Sequence, residues 1–203
     1  MLHRLHRISA LLIGCYVAGH IANHMLALLG VDAHIAYMEQ YRHIYRAPVI
    51  EPVLLTCVLF QVASGLVFIA RRWGKRRGFF DHVQAISGGY LAFFLLFHVG
   101  AVLYGRTVQG VDTNFYFAAA GLHLGYFPLF FMPYYTLAVA AFFSHVACGL
   151  RWLLRSHLSQ RLRDRLAIAV MLLGLLLGLV IVAAFAGAFY AVEIPSAYCF
   201  SDC

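Results

Sequence analysis

Acidic residues are scarce in this chain: eight aspartates and glutamates stand among 203 residues, and charged residues of both signs make up only 11%. None falls in the middle of a long apolar stretch, Glu51 standing at the start of one, so no ion or proton pathway built on intramembrane carboxylates is evident. A transporter or channel is the weaker reading for that reason. The sequence also lacks a nucleotide-binding motif, a cysteine cluster spaced for iron–sulfur ligation and a soluble domain, which excludes self-contained dehydrogenase chemistry. What remains is apolar. Hydrophobic residues reach 63%, far above the roughly 45–50% of a soluble domain.

Five stretches, near 8–29, 50–70, 84–105, 133–154 and 167–190, are long enough to cross a bilayer, which takes about 20 apolar residues. The expectation is an all-α, integral membrane five-helix bundle forming a single transmembrane domain over 1–203. The first stretch begins close to Met1 but runs too long for a signal-peptide core and carries His20, Asn23 and His24 where cleavage would occur, so it reads as a retained helix.

Twelve of the fifteen cationic residues precede the first stretch or follow the second and fourth, leaving Arg42, Arg46 and Arg106 for the other side. The positive-inside rule then places the N-terminus in the cytoplasm and the C-terminus outside, as in a bacterial inner membrane. The net charge of +7 is thereby a topology signal, with no nucleic-acid partner implied. Cys15, Cys57 and Cys148 fall inside helices as small packing residues, whereas Cys199 and Cys203 lie in the outer tail, where a short-loop disulfide forms only if the tail folds back.

The chain also reads as an internal duplication. Ile8-Ser9 is followed eleven residues after the serine by His20, and Ile86-Ser87 eleven residues after the serine by His98. Gln61-Val62-Ala63-Ser64-Gly65-Leu66 aligns with His145-Val146-Ala147-Cys148-Gly149-Leu150, and Arg71 and Arg155 follow at the same offset. The two-helix units run parallel, so equivalent positions come to equal depth. His20 lies roughly 18 Å and His98 roughly 21 Å along their helices, at about 1.5 Å per residue, so the two should face each other in the outer half. Two neutral imidazoles facing across a bundle suit bis-histidine ligation of haem iron. Gly19 and Gly100 would let a macrocycle approach. His24, one turn above His20, competes for the ligand role or contacts a propionate or a quinone. His145 falls in the inner half opposite Gln61, which is a poor haem ligand, so His145 serves a five-coordinate haem or hydrogen-bonds Gln61. A single lone histidine would more often be a satisfied core residue; the matched pair changes that balance.

Outside the duplication, Gly174 and Gly178 give the fifth helix a small-residue face for close packing. The connection near 30–49 reads as an amphipathic interfacial segment, and that near 106–132 as a cap over the outer mouth.

On His20-Ile21-Ala22-Asn23, Gln61 to Gly65, Gln84-Ala85-Ile86-Ser87-Gly88 with His98, and His145 to Leu150, the chain resembles the five-helix cytochrome b membrane anchor of type B succinate:quinone oxidoreductases and fumarate reductases. The resemblance covers the first four long helices and implies haem b held at the distal site by His20 and His98, with His145 the surviving proximal ligand. Gln61 and the 106–132 loop depart from the family pattern. It further implies a quinone, and soluble flavoprotein and iron–sulfur subunits docked on the cytoplasmic arginine-rich loops 71–77 and 151–165. Candidate quinone contacts are His6, Arg7 and Ser9 with His82 and Ser87, which would otherwise serve as headgroup contacts and helix caps. The expected function is electron relay between that iron–sulfur partner and quinone, with any catalysis shared between subunits. The alternative is a non-catalytic structural or assembly subunit of another membrane complex, built on the same bundle with one haem or none.

Overall fold

The structure, a computed structural model, describes residues 1–199 and contains no strand among them. Seven helices follow in order: α1 (Leu2–Leu26), α2 (Val31–Tyr45), α3 (Ile50–Arg71), α4 (Phe79–Thr107), α5 (Phe115–His123), α6 (Pro128–Leu153) and α7 (Gln160–Phe185). Short 3₁₀ turns extend α1 through Leu29 and α6 through Ser156. Five of the seven, α1, α3, α4, α6 and α7, are long and apolar enough to cross a membrane. The bridge considered between Cys199 and Cys203 falls partly outside the described residues.

The helix limits differ from the apolar stretches at several ends. Hydropathy stops at the first charged residue, whereas a helix runs on until its backbone finds a cap. Thus α4 starts at Phe79, directly after Gly78 turns the chain with φ 87°. Helix α7 starts at Gln160, where Ser159 Oγ accepts from Leu162 N–H at 3.4 Å, and it ends at Phe185, well before 190, because Gly187 adopts φ 81° just beyond. Both connecting segments are partly helical: α2 occupies the first, and α5 the second, with Asn114 Oδ1 capping Tyr116 N–H at 2.9 Å.

The helices pack in a chain of neighbours: α1 on α3 and α2, α3 on α4, α4 on α6, and α6 most extensively on α7. Helices α1 and α4 share at most a marginal backbone approach and are held apart by α3. The glycine face of α7 sets the α6–α7 contact. A Cβ at Gly178 would lie 2.8 Å from the Thr136 carbonyl oxygen, and one at Gly174 would collide with the Phe143 side chain. Gly19, by contrast, makes room for a protein ring: its Cβ would sit 2.6 Å from Tyr41 Cζ on α2. Gly100, where a Cβ meets nothing within 4 Å, lies on the exposed face of α4, so neither glycine opens space for the macrocycle expected there.

The tightest core lies at the end of the bundle covered by α2 and α5. Phe115, fully buried, stacks on Phe185 with ring centroids 4.4 Å apart, and Ala27, Ala119, Leu122, Ile181 and Ala184 close around them. Arg42–Asp112 at 2.9 Å, Arg46 to Thr113 Oγ1 at 2.9 Å and Arg106–Glu51 at 2.7 Å tie the covering segments to the long helices. This end is capped, as expected for the 106–132 segment. The opposite end carries the arginine-rich connections and stays open.

Candidate functional site

Two polar levels cross the bundle, one near each end. At the capped end, residues four apart on one helical face place His20 and His24 together on α1, their Nε2 atoms 3.1 Å apart. His98 on α4 faces His20 with ring centroids 6.1 Å apart and the planes inclined at 61°. The two imidazoles meet edge to face although α1 and α4 are not packed backbone to backbone. Both rings, and that of His24, are half-buried. Phe94 stacks on His98 at 4.9 Å and Tyr16 on His20 at 5.6 Å, fixing the orientation of each ring from the side.

A fourth histidine completes this level and escaped the sequence reading. His34, only 2% exposed, projects from the first turn of α2. Its Nε2 lies 3.2 Å from His24 Nδ1 and 3.1 Å from Asn23 Nδ2. Gly30 makes this contact possible: with φ 120° it reverses the chain, so residues nearly equidistant from it on either side come face to face. That symmetry about a glycine was the available signal. Burial drives the His34 pKa down to about 4, which keeps the ring neutral. Two buried polar atoms beside it, His34 Nδ1 and Asn23 Oδ1, have no hydrogen-bond partner, each a cost of about 1–3 kcal/mol. His24 uses both nitrogens on neighbouring imidazoles, so it acts first as the link between His20 and His34.

At the open end polar groups gather from four long helices: the side chains of His6 from α1, Gln61 and Ser64 from α3, Ser87 from α4 and His145 from α6, with the backbone carbonyl of Gln84 on α4. The hydrogen bond between Gln61 and His145, one of the two readings of His145, does not form. Gln61 instead lies against His6, its carboxamide oriented so that the oxygen accepts from Ala10 N–H at 3.3 Å and the nitrogen donates to His6. His6 Nδ1 also lies 2.6 Å from Ser64 Oγ. His145 Nδ1 reaches the Gln84 carbonyl at 3.2 Å and Ser87 Oγ at 3.4 Å. The α1–α3 and α4–α6 contacts are each shorter paths than the diagonal from α3 to α6, and they capture the polar groups first.

The remaining quinone candidates are dispersed around this end. Ser9 is buried and donates to the His6 carbonyl at 3.2 Å within its own helix. Ser87, also buried, donates to the Gln84 carbonyl at 3.3 Å. Arg7 lies over the Trp152 ring at 4.4 Å, with Arg155 also stacked on that ring at 4.0 Å. His82 turns back on the start of α4, its Nδ1 2.8 Å from the Gly78 carbonyl, and takes no part in the cluster. Among the described residues, no three His, Cys, Asp or Glu side chains converge as a site for a bare metal ion.

Comparison with known proteins identifies no matching family, no similar curated protein and no similar solved structure.

Proposed function

We propose that the chain is an integral membrane cytochrome b whose haem iron is held by His20 and His98. The observation that carries this reading is the 6.1 Å between the two ring centroids. Two imidazoles that bind one metal on opposite faces through nitrogens at about 2.0–2.1 Å have centroids about 6 Å apart. Two side chains suffice for a flat group that supplies its own equatorial donors. A b-type haem does so, and when bound it supplies one-electron exchange between ferric and ferrous iron.

The surrounding residues have definable tasks. Phe94 and Tyr16 hold the two ligand rings by stacking, and His24, anchored through His34, bonds His20 Nε2 at 3.1 Å, a contact that a haem iron would displace. Phe115 and Phe185 pack on His34 at the capped end of the level. Membrane insertion is supported by the outward faces of the long helices, where Leu11, Leu59, Phe97, Leu129, Leu172 and Leu176 are all exposed. Each would cost about 1.5–3 kcal/mol to leave in water rather than bury, and lipid removes that cost.

Within this reading the protein anchors a quinone oxidoreductase similar to succinate dehydrogenase and fumarate reductase. A flavoprotein and an iron–sulfur subunit dock on the arginine-rich connections at the open end, which faces the cytoplasm, and quinone binds at that end near Arg7. The test is the visible spectrum of the purified chain, oxidised and dithionite-reduced. Soret and α bands that are lost in both His20→Ala and His98→Ala support the reading; a chain without these bands, prepared with haem available, refutes it.

A further inference from the structure

We propose that Arg7, Trp152 and Arg155 bind the phosphate of an anionic phospholipid at the membrane surface of the open end. The inference does not depend on the haem reading. It assigns Arg7 to a lipid and leaves the neighbouring cluster of His6, Gln61 and Ser64 to quinone.

Two cations converge on one ring. Arg7, near the start of α1, places its guanidinium carbon 4.4 Å from the centroid of Trp152, and Arg155, in the turn that extends α6, places its own at 4.0 Å. The two charges are no further apart than these distances laid end to end, inside the Debye length of about 10 Å at 0.1 M salt, so they repel. Cation–π attraction holds each to the indole, but the indole brings no negative charge. Among the described residues neither arginine has a carboxylate partner: Asp164 pairs with Arg151, and Asp81 accepts from the Arg77 backbone N–H at 2.9 Å. Arg7 makes no hydrogen bond to the described residues, and Arg155 makes one, from Nη1 to the Trp152 carbonyl at 3.4 Å. The capped end differs, since Asp112 and Glu51 neutralise Arg42 and Arg106 there. Phosphate oxygens match the free donors at the open end, because guanidinium groups bind phosphate through charge-assisted, often paired, N–H bonds.

Position selects a lipid as the source of that phosphate. Arg7 and Trp152 stand near the ends of α1 and α6, two of the helices long enough to cross a membrane, and tryptophan is favoured at the boundary between lipid and water. Leu11, 69% exposed, and Ala18, also exposed, follow Arg7 at the spacing of a single helical face. Gly14 shares that face, and a Cβ there would meet nothing within 4 Å. On α6, Val146, Leu150 and Leu153 form a second exposed apolar stripe. A phospholipid held by its phosphate at Arg7 therefore lays an acyl chain along Leu11, Gly14 and Ala18 towards the bilayer centre. A free phosphate leaves this surface uncovered, and an acidic protein segment would meet the arginines without reaching it. The paired cations also repel the ammonium group of a zwitterionic lipid, so a headgroup of net negative charge is preferred.

The experiment is native mass spectrometry of the purified full chain, delipidated in neutral detergent and then offered phosphatidylglycerol or phosphatidylcholine with the same acyl chains. The chain should retain one phosphatidylglycerol under activation that strips phosphatidylcholine. Arg7→Gln and Arg155→Gln should each weaken retention about fivefold while melting like the parent. Arg72→Gln, which removes an exposed arginine of the same end that stands over no aromatic ring, should leave retention unchanged. Excess inorganic phosphate should not displace the lipid. Equal retention by the parent and the Arg7→Gln/Arg155→Gln double variant overturns the inference and leaves these arginines to docked subunits. A loss in Arg72→Gln as large as that in Arg7→Gln also overturns it, because diffuse charge alone would then account for binding. Displacement by inorganic phosphate overturns the assignment of a lipid as the occupant.

Discussion

His34 and His24, on opposite sides of the Gly30 turn, meet with Nε2 and Nδ1 3.2 Å apart, and this contact fastens α2 onto the end of α1. His34 is nearly inaccessible and also binds Asn23 at 3.1 Å. Replacing it with alanine leaves Asn23 and His24 short of a buried partner, at a cost of about 1–3 kcal/mol. The expected outcome is a lower unfolding temperature in detergent, with protease sensitivity appearing first between residues 30 and 49. His34→Ala that melts like the parent would show the contact to be dispensable.

The same histidine sets a pH dependence. Its folded-state pKa of about 4 lies below the ordinary 6.5, so the folded protein favours the neutral ring. The stabilisation is complete above pH 6.5 and is lost as the pH falls from 6.5 towards 4, because the unfolded chain takes up a proton that the folded chain refuses. Unfolding measured from pH 7.5 to 4.5 should therefore show a slope that shrinks by about one proton in His34→Phe. An unchanged slope in that variant would assign the dependence to other groups.

Gly178 is irreplaceable for a different reason. Its neighbour is the Thr136 backbone, 2.8 Å from where a Cβ would stand, and backbone in a packed helix cannot step aside. Gly178→Ala should cost about 1–3 kcal/mol through overpacking. Gly14, with nothing within 4 Å, is the control, and Gly14→Ala should be neutral or stabilise by up to about 1 kcal/mol through helix propensity. Thermal melts of the two variants in the same detergent compare them directly.

Arg151 and Asp164 pair at 2.5 Å and join the end of α6 to the start of α7. The side chains are 25% and 30% exposed, so the pair is worth little. Asp164→Asn should reduce stability by about 1 kcal/mol or less, and the difference should shrink as salt is raised. A loss several times larger, or one indifferent to salt, would indicate that the pair holds the open end in a particular shape.

The apolar runs made the five long helices legible, because lipid-length hydrophobicity is a property of composition that neighbours do not alter. Helix ends were less legible: Gly78, Ser159 and Gly187 decide them through backbone geometry and capping, which hydropathy does not register. The placement of His20 opposite His98 followed from equal offsets in parallel helices. His34 was not legible, since it reaches the site only after the turn at Gly30 folds α2 back. The contact between Gln61 and His145, one of two readings of His145, did not form for a related reason. Sequence offsets show which residues share a depth, but the nearer helix claims the hydrogen bond, and for Gln61 that helix is α1.

Ligation by His98 can be separated from mere packing by a cavity variant. In His98→Gly the purified protein should lose its low-spin spectrum at the capped-end haem, and exogenous imidazole, filling the vacated space, should restore it. A low-spin spectrum in His98→Gly that equals the parent's without imidazole would contradict the assignment of His20 and His98 as the ligand pair.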